Sequence, residues 1–165
     1  MLEEQVFNAK LHDRAGFRCG EPALDDYLQR FAAQQSERGV STVYVLVDDA
    51  QPRVILGFYT LSAAQVDVVQ LSAADRKKLP RYPVPCFRMG RLACSADSQG
   101  QGLGKLLLGC AVDRCLQARK SVGAFALLVD AKHASAKAFY QHYGFSACVD
   151  SPMTLYLPLG QSSHQ

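Results

Sequence analysis

The sequence predicts an α+β fold: a central, mostly antiparallel twisted sheet with one parallel strand pair near its middle, flanked by helices. Three observations predict it. Segments rich in β-branched and aromatic residues alternate with segments of helical periodicity along the chain. Thr42–Val47 and Val54–Leu61 are separated by a polar turn from Asp49 to Pro52, which reads as an antiparallel hairpin. Strand Phe87–Cys94, a glycine-rich turn, a long amphipathic helix and the uninterrupted apolar strand Ala124–Val129 make a right-handed strand–helix–strand unit, whose two strands are parallel.

In chain order, Gln5–Leu11 reads as a short strand. Glu21–Gln35 reads as a helix, with Pro22 in its first turn and Leu24, Leu28 and Phe31 along one face. The hairpin follows, and then a short helix within Leu71–Leu79, ended before Pro80. After strand Phe87–Cys94 the long helix runs from Gly102 to about Ala118. Leu103, Leu106, Leu107, Cys110 and Ala111 fall on one stripe at helical spacing. Ala134–Tyr143 is a second helix, closed by Gly144 where left-handed geometry favours glycine. Phe145–Cys148 and Thr154–Leu157 finish as strands.

At 165 residues the chain fits one domain with a sizeable core, placed at residues 1–159, and a polar tail, Gly160 to Gln165, expected to be flexible. With 48% hydrophobic and 20% charged residues it is neither a disordered nor a fibrous composition. No apolar run reaches the roughly 20 residues of a membrane span. The acidic start, Met1-Leu2-Glu3-Glu4, is unlike an export signal, so a cytoplasmic protein is expected. Six cysteines, Cys19, Cys86, Cys94, Cys110, Cys115 and Cys148, contain no Cys-x-x-Cys pair, and no histidine stands at zinc spacing from them. They read as reduced, small apolar residues, and no metal is expected.

The formal charge of +3 is unevenly spread. Residues 1–50 hold five Lys/Arg against nine Asp/Glu, and the remainder thirteen against six, so the two parts carry −4 and +7. The densest basic stretch contains Arg76, Lys77, Lys78, Arg81, Arg88 and Arg91, beside Asp75. Such a patch is either a solvated surface or a phosphate-binding one.

The stretch Gln99-Gly100-Gln101-Gly102-Leu103-Gly104-Lys105 lies between a strand and a helix. Unpaired backbone N–H groups at a helix start, together with the helix dipole, attract an anion, and glycines remove the Cβ atoms that would hold a ligand away. The combination suits a pyrophosphate. A P-loop would need Ser or Thr after the lysine, where Leu106 stands. A dinucleotide-binding turn would open the first strand–helix–strand unit and carry an acid about 20 residues on, and neither condition is met. Gln99, Gly102 and Gly104 do match the acetyl-coenzyme A signature Gln/Arg-x-x-Gly-x-Gly/Ala.

A second constellation, Ala136-Lys137-Ala138-Phe139-Tyr140 with Tyr143-Gly144-Phe145, resembles the other GNAT acetyltransferase signature, Ala-x-x-Phe-Tyr followed by Gly-Phe. With both signatures at the usual separation, the chain resembles the GNAT N-acetyltransferase superfamily from residue 1 to about 159. The segment Phe17-Arg18-Cys19-Gly20-Glu21-Pro22-Ala23-Leu24-Asp25-Asp26-Tyr27-Leu28 resembles the opening of its toxin-type members, TacT-like and AtaT-like. Gly57-Phe58-Tyr59-Thr60-Leu61-Ser62, Pro83-Val84-Pro85 and Gly90-Arg91-Leu92-Ala93 resemble them too. That resemblance implies transfer of an acetyl group from acetyl-coenzyme A to the α-amino group of an aminoacyl-tRNA. It also implies a ribbon-helix-helix antitoxin as partner, and it leaves a homodimer open.

The same resemblance implies that the parallel pair splays apart to admit the cofactor. Main-chain groups around Leu92, Ala93 and Cys94 would hold the pantetheine arm and the oxyanion. Gln99, Gly100, Gln101, Gly102, Leu103, Gly104 and Lys105 would hold the pyrophosphate. Tyr140 would be the general acid that protonates the departing thiolate. Arg76, Lys77, Lys78, Arg81 and Arg91 are the candidate contacts to tRNA. Many members have Asn where His133 stands, and His133 reads as either a substitute or a surface residue. No carboxylate is evidently placed as a base. Little base strength is needed, because an α-amino group has a pKa near 8. Cys94 invites an acetyl-cysteine intermediate, but direct transfer is the expected course, and His142 reads as an exposed helix residue. The competing readings are an acetyltransferase acting on a small amine or a protein N-terminus, and a coenzyme A-binding module that no longer transfers.

Overall fold

The computed structural model describes residues 1–160. Its strands are β1 (Leu2–Val6), β2 (Thr42–Asp48), β3 (Gly57–Val66), β4 (Val84–Cys94), β5 (Ala126–Asp130), β6 (Ser146–Ala147) and β7 (Thr154–Pro158). Its helices are α1 (Pro22–Asp26), α2 (Ala32–Glu37), α3 (Ala73–Arg76), α4 (Leu103–Ala118) and α5 (Ala134–His142). The strands form one sheet in the order β1-β2-β3-β4-β5-β7-β6. The recorded antiparallel registers are β1 with β2, β2 with β3, β5 with β7 and β6 with β7. Strand β4 runs parallel to β5, from Cys86 opposite Ala126 to Met89 opposite Val129. The crossover between them is α4, as the apolar pattern of β5 requires for a strand covered on both faces.

The chain divides into two compact units. The first comprises Met1–Ser62 and Gly90–Ala111. Its core joins Phe17, Leu24, Tyr27 and Leu28 to Val43, Val45, Phe58 and Ala93. Here β3 begins at a glycine for a steric reason. A Cβ on Gly57 would stand 2.7 Å from Leu107 Cδ1 and 2.9 Å from the Ala93 carbonyl oxygen. The second unit comprises Ala63–Met89 and the described part of 112–165. Its core gathers Val66, Leu71, Val84, Cys86, Ala126, Leu128 and Tyr156.

Several elements depart from the sequence expectation. The first strand is Leu2–Val6 rather than Gln5–Leu11. Asn8 ends it: its carbonyl accepts the N–H groups of Leu11 and His12, and its side chain accepts that of Lys10. The helix expected over Glu21–Gln35 is interrupted by a π-helical turn, Tyr27–Phe31, between α1 and α2. Leu106, placed on the buried stripe of α4, is 40% exposed. The buried face is Leu103, Leu107, Leu108, Ala111 and Cys115. Three consecutive leucines fit two overlapping stripes equally well, and only the packed partner chooses between them. Gly144 has φ +96°, the left-handed end expected for α5.

All six cysteines are free thiols. Among the described residues no helix is long and apolar enough to cross a membrane. The Gly160 carbonyl accepts from the Arg119 guanidinium. The rest of the expected tail, 161–165, lies outside the described residues.

Candidate functional site

In the first unit, β4 ends at Cys94 and the chain turns through Ala96–Ser98 into the glycine stretch. Gly100 and Gly102 both have positive φ, +85° and +76°. That conformation costs a residue with a Cβ about 1–2 kcal/mol and glycine nothing. A Cβ on either glycine would meet nothing within 4 Å, so the surface above the turn is open. Leu106 N–H donates to the Gly102 carbonyl at 3.2 Å, which begins the intrahelical ladder of α4. The N–H groups of Leu103, Gly104 and Lys105 precede that ladder and have no intrahelical acceptor. They lie at the positive end of a 16-residue helix. Lys105 adds a cation to the same first turn, where the dipole alone disfavours one and a bound anion would offset it. An open turn, free N–H groups and an unfavourably placed lysine together suit a pyrophosphate.

Gln99 has a structural task of its own. Its Nε2 donates to the Cys19 carbonyl at 2.9 Å. Nearby, Ala96 N–H donates to the Arg18 carbonyl at 2.7 Å. The turn is therefore braced against the segment Phe17–Gly20, which is itself tied down by Cys19 N–H donating to Asp25 Oδ1 at 2.8 Å. Only the fold reveals this use of the Gln99 side chain.

Leu92, Ala93 and Cys94 form the end of β4, beyond Met89, the last residue of its recorded register with β5. Ala93 is buried, and Leu92 and Cys94 are half-buried. Burial pushes the Cys94 thiol above its ordinary range, so it stays protonated and is a poor nucleophile. That environment disfavours an acetyl-cysteine intermediate.

In the second unit, Tyr140 lies on α5 and is 7% exposed. Its ring packs edge-on against Phe139 and at a tilt against Phe145. Burial first, and then the nearby Asp130 carboxylate, push its phenol up to about 12. No buried side-chain oxygen or nitrogen among the described residues lacks a partner, and the Tyr140 hydroxyl makes no hydrogen bond among them, so this oxygen retains access to the surface. A phenol that holds its proton and keeps its oxygen accessible can donate that proton to a bound molecule. Asp130 ends β5, receives the Arg88 guanidinium and accepts from Thr154 Oγ1 at 3.0 Å. Sequence reasoning missed this trio, because three strands contribute one residue each and no local spacing links them.

His133 is exposed and caps α5, its Nδ1 accepting from Ala136 N–H at 3.2 Å. Its ring serves the helix end, in keeping with the surface reading. His142 is exposed in the last turn of α5.

The basic stretch resolves into three situations. Arg76, Lys77, Lys78 and Arg81 are exposed in and after α3. Their acidic neighbour Asp75 is occupied: it accepts from the Tyr156 hydroxyl at 2.7 Å and lies 3.0 Å from Ser72 Oγ. Arg88 is paired with Asp130. Arg91, in the first unit, lies over the Tyr27 ring, 3.6 Å from its centroid. Among the described residues no cluster of three His, Cys, Asp or Glu side chains could hold a metal ion.

Residues 39–147 match the family of acetyltransferase (GNAT) domains. A tRNA-acetylating toxin of Mycobacterium tuberculosis (strain ATCC 25618 / H37Rv) is 39% identical over 145 residues, 88% of this chain and 85% of the toxin. The structure of AtaT complexed with acetyl-methionyl-tRNAfMet superposes with a TM-score of 0.90 at 30% identity, covering 96% of this chain and 95% of AtaT. A mutant AtaT toxin bound to the C-terminus of the antitoxin AtaR and acetyl-CoA superposes at 0.82 and 28% identity, covering 96% of this chain and 93% of that one.

Proposed function

The chain belongs to the GNAT acetyltransferase family, and from that premise we propose that it acetylates the α-amino group of aminoacyl-tRNA. Acetyl-CoA is the donor, transfer is direct, and the consequence is that of a toxin. An N-acetylated aminoacyl-tRNA has no nucleophilic amine with which to extend a peptide. The observation that carries the donor half is the open turn at Gly100 and Gly102, which leads into the unladdered N–H groups of α4. The likeness to a tRNA-acetylating toxin supports the acceptor half.

In this reading residues 1–159 act as one acetyltransferase domain. Backbone N–H groups from Gly100 to Lys105 hold the pyrophosphate of acetyl-CoA, with Gln99 bracing the turn and the Lys105 ammonium adding charge. Main-chain groups of Leu92, Ala93 and Cys94 hold the pantetheine arm. The free amine attacks the thioester carbonyl, and the electron pair of the C=O bond moves to oxygen. A backbone N–H at the end of β4 stabilises that oxyanion. Collapse breaks the C–S bond, and Tyr140 gives its proton to the departing thiolate. The ammonium proton of the product passes to water. With an amine of pKa near 8 or below, water suffices as the base. Arg76, Lys77, Lys78 and Arg81 hold tRNA phosphates, with the protein acting in the cytoplasm. A ribbon-helix-helix antitoxin, as the resemblance implies, is the proposed partner, and the likeness to an AtaT toxin bound to the C-terminus of the antitoxin AtaR supports an antitoxin in that role.

The test is acetyl transfer from labelled acetyl-CoA to a fully charged tRNA pool, with purified protein and no partner. Label is expected on the amino acid of at least one tRNA species. Reversing Arg76, Lys77 and Lys78 to Glu should weaken tRNA use by about tenfold or more while acetyl-CoA binding holds within twofold. Steep loss of activity with rising salt should accompany wild-type transfer. If no tRNA species takes label, the acceptor is a small amine or a protein N-terminus instead. If no thiol is released with any amine, the chain is a coenzyme A-binding module.

A further inference from the structure

Two motifs far apart in the sequence meet in the first unit. Tyr27 comes from the segment Phe17–Leu28, and Arg91 from Gly90-Arg91-Leu92-Ala93. The Arg91 guanidinium lies 3.6 Å from the centroid of the Tyr27 ring. That ring cannot turn. It is 4% exposed, and it stacks on Phe58 with centroids 6.2 Å apart and planes 13° from parallel. Its hydroxyl donates to Gln35 Oε1 at 3.0 Å and lies 3.2 Å from Ser41 Oγ. It also stands at the start of the π-helical turn, a local irregularity of the kind often found at functional positions.

A guanidinium laid on a fixed aromatic surface loses most of its freedom, while its in-plane N–H groups remain available as a fork. Arg91 is half-buried, and among the described residues no carboxylate lies within ion-pair distance of it. A partly desolvated cation without a counter-ion is unfavourable unless a ligand brings the anion. The geometry of the fork suits the paired oxygens of a phosphate.

We propose that Arg91, pre-oriented by Tyr27, binds a backbone phosphate in the unpaired 3′ end of the RNA acceptor, with Tyr27 as a positioning residue. This rests on the aminoacyl-tRNA reading above. Arg91 immediately precedes Leu92–Cys94, the stretch proposed to deliver the acetyl group, so a phosphate on its fork belongs to a nucleotide close to the reacting amine. The phosphates of acetyl-CoA share this chemistry, but the turn that opens α4 already accounts for its pyrophosphate.

The experiment combines steady-state acetyl transfer with fluorescence anisotropy of uncharged tRNA from low to high salt. Arg91→Gln should raise KM for aminoacyl-tRNA about tenfold and leave kcat and the KM for acetyl-CoA within about twofold. It should also flatten the slope of log affinity against log salt by about one unit, the signature of one lost phosphate contact. Arg91→Lys keeps the charge and hence the salt slope, but it loses the fork, so its KM should rise a few-fold. Tyr27→Phe should behave as wild type, and Tyr27→Leu should raise KM with the slope intact. Should Tyr27→Leu not fold, the two Arg91 variants carry the test. An unchanged salt slope in Arg91→Gln overturns the proposal. So does a loss of acetyl-CoA affinity with RNA affinity intact, which would assign the fork to the cofactor. If the wild-type protein acetylates no aminoacyl-tRNA, the acceptor reading fails by itself. The anisotropy slopes on uncharged tRNA then still decide for or against Arg91.

Discussion

Replacing Tyr140 by Phe removes one oxygen and keeps the ring that packs against Phe139 and Phe145. The hydroxyl has no hydrogen-bond partner among the described residues, so the change should alter unfolding free energy by less than about 0.5 kcal/mol. The catalytic effect should be much larger. General acids contribute roughly 10²–10⁴-fold. Here the acid is weak: burial and Asp130 hold the phenol at about 12, against roughly 8.5 for an ordinary thiol. Full proton transfer to the thiolate is therefore uphill, and the benefit falls at the lower end of the range. A loss of about 10²-fold follows, or about 2.7 kcal/mol at about 1.36 kcal/mol per decade. The assay is single-turnover thiol release at saturating acetyl-CoA, with calorimetry to establish that cofactor affinity holds within about twofold. A rate within twofold of wild type, in a folded protein with normal affinity, would refute the assignment and leave water as the acid. The pH profile offers a second check. Rate should climb as the acceptor amine loses its proton, and Tyr140 should impose no alkaline fall until the pH approaches about 12.

Gly102→Val places a β-branched residue at φ +76°, with its side chain in the open space above the turn. Acetyl-CoA affinity measured by calorimetry should fall at least about tenfold in a protein that still folds, and unchanged affinity would remove the turn from the cofactor site. A separate prediction concerns His12, which is 2% exposed. Its Nδ1 accepts from Asn8 N–H, and its Nε2 meets Gln5 Oε1 at 2.9 Å, so the bonded form is the neutral ring. Burial, the largest cause, lowers its pKa below the ordinary value of about 6.5. Below that value the unfolded chain takes up a proton that the folded chain resists, so stability is present above about pH 6.5 and is lost as pH falls through it. The slope is at most about 1.4 kcal/mol per pH unit. Urea unfolding from pH 7 to 5 should show that slope in the wild type and a shallower one in His12→Gln. Equal slopes would clear His12 of the effect.

The legible parts of this protein were those in which physics acts over a few neighbouring residues. The turn at Gly100 and Gly102 was readable because positive φ selects glycine at particular positions. The end of α5 at Gly144 was readable for the same reason. β5 announced itself as a covered strand through six apolar residues in a row, Ala124–Val129, of which the last four are fully buried. Illegible were the features that depend on what lies opposite. Leu106, Leu107 and Leu108 are alike in sequence, and two of them are buried because of the surface that α4 meets. The polar strand Leu2–Val6 gave no apolar alternation, because it stands at the edge of the sheet with one pairing neighbour.

Sequence by itself determined the family and the strand–turn–helix arrangement around Gln99–Lys105, and it supplied Tyr140 as the proposed acid, since each rests on residue types at short, fixed spacing. Tertiary structure decided how side chains are employed. It turned Gln99 toward the Cys19 carbonyl, made His133 a helix cap and joined Arg88, Asp130 and Thr154 across three strands. It also divided the basic residues into the exposed group at Arg76–Lys78 and Arg81, the paired Arg88 and the stacked Arg91. The reason is the range of the forces involved. Backbone conformation and helix-end electrostatics are settled within about one turn of chain. An ion pair, a stacked guanidinium or a brace needs a partner that only the folded topology brings within a few ångströms.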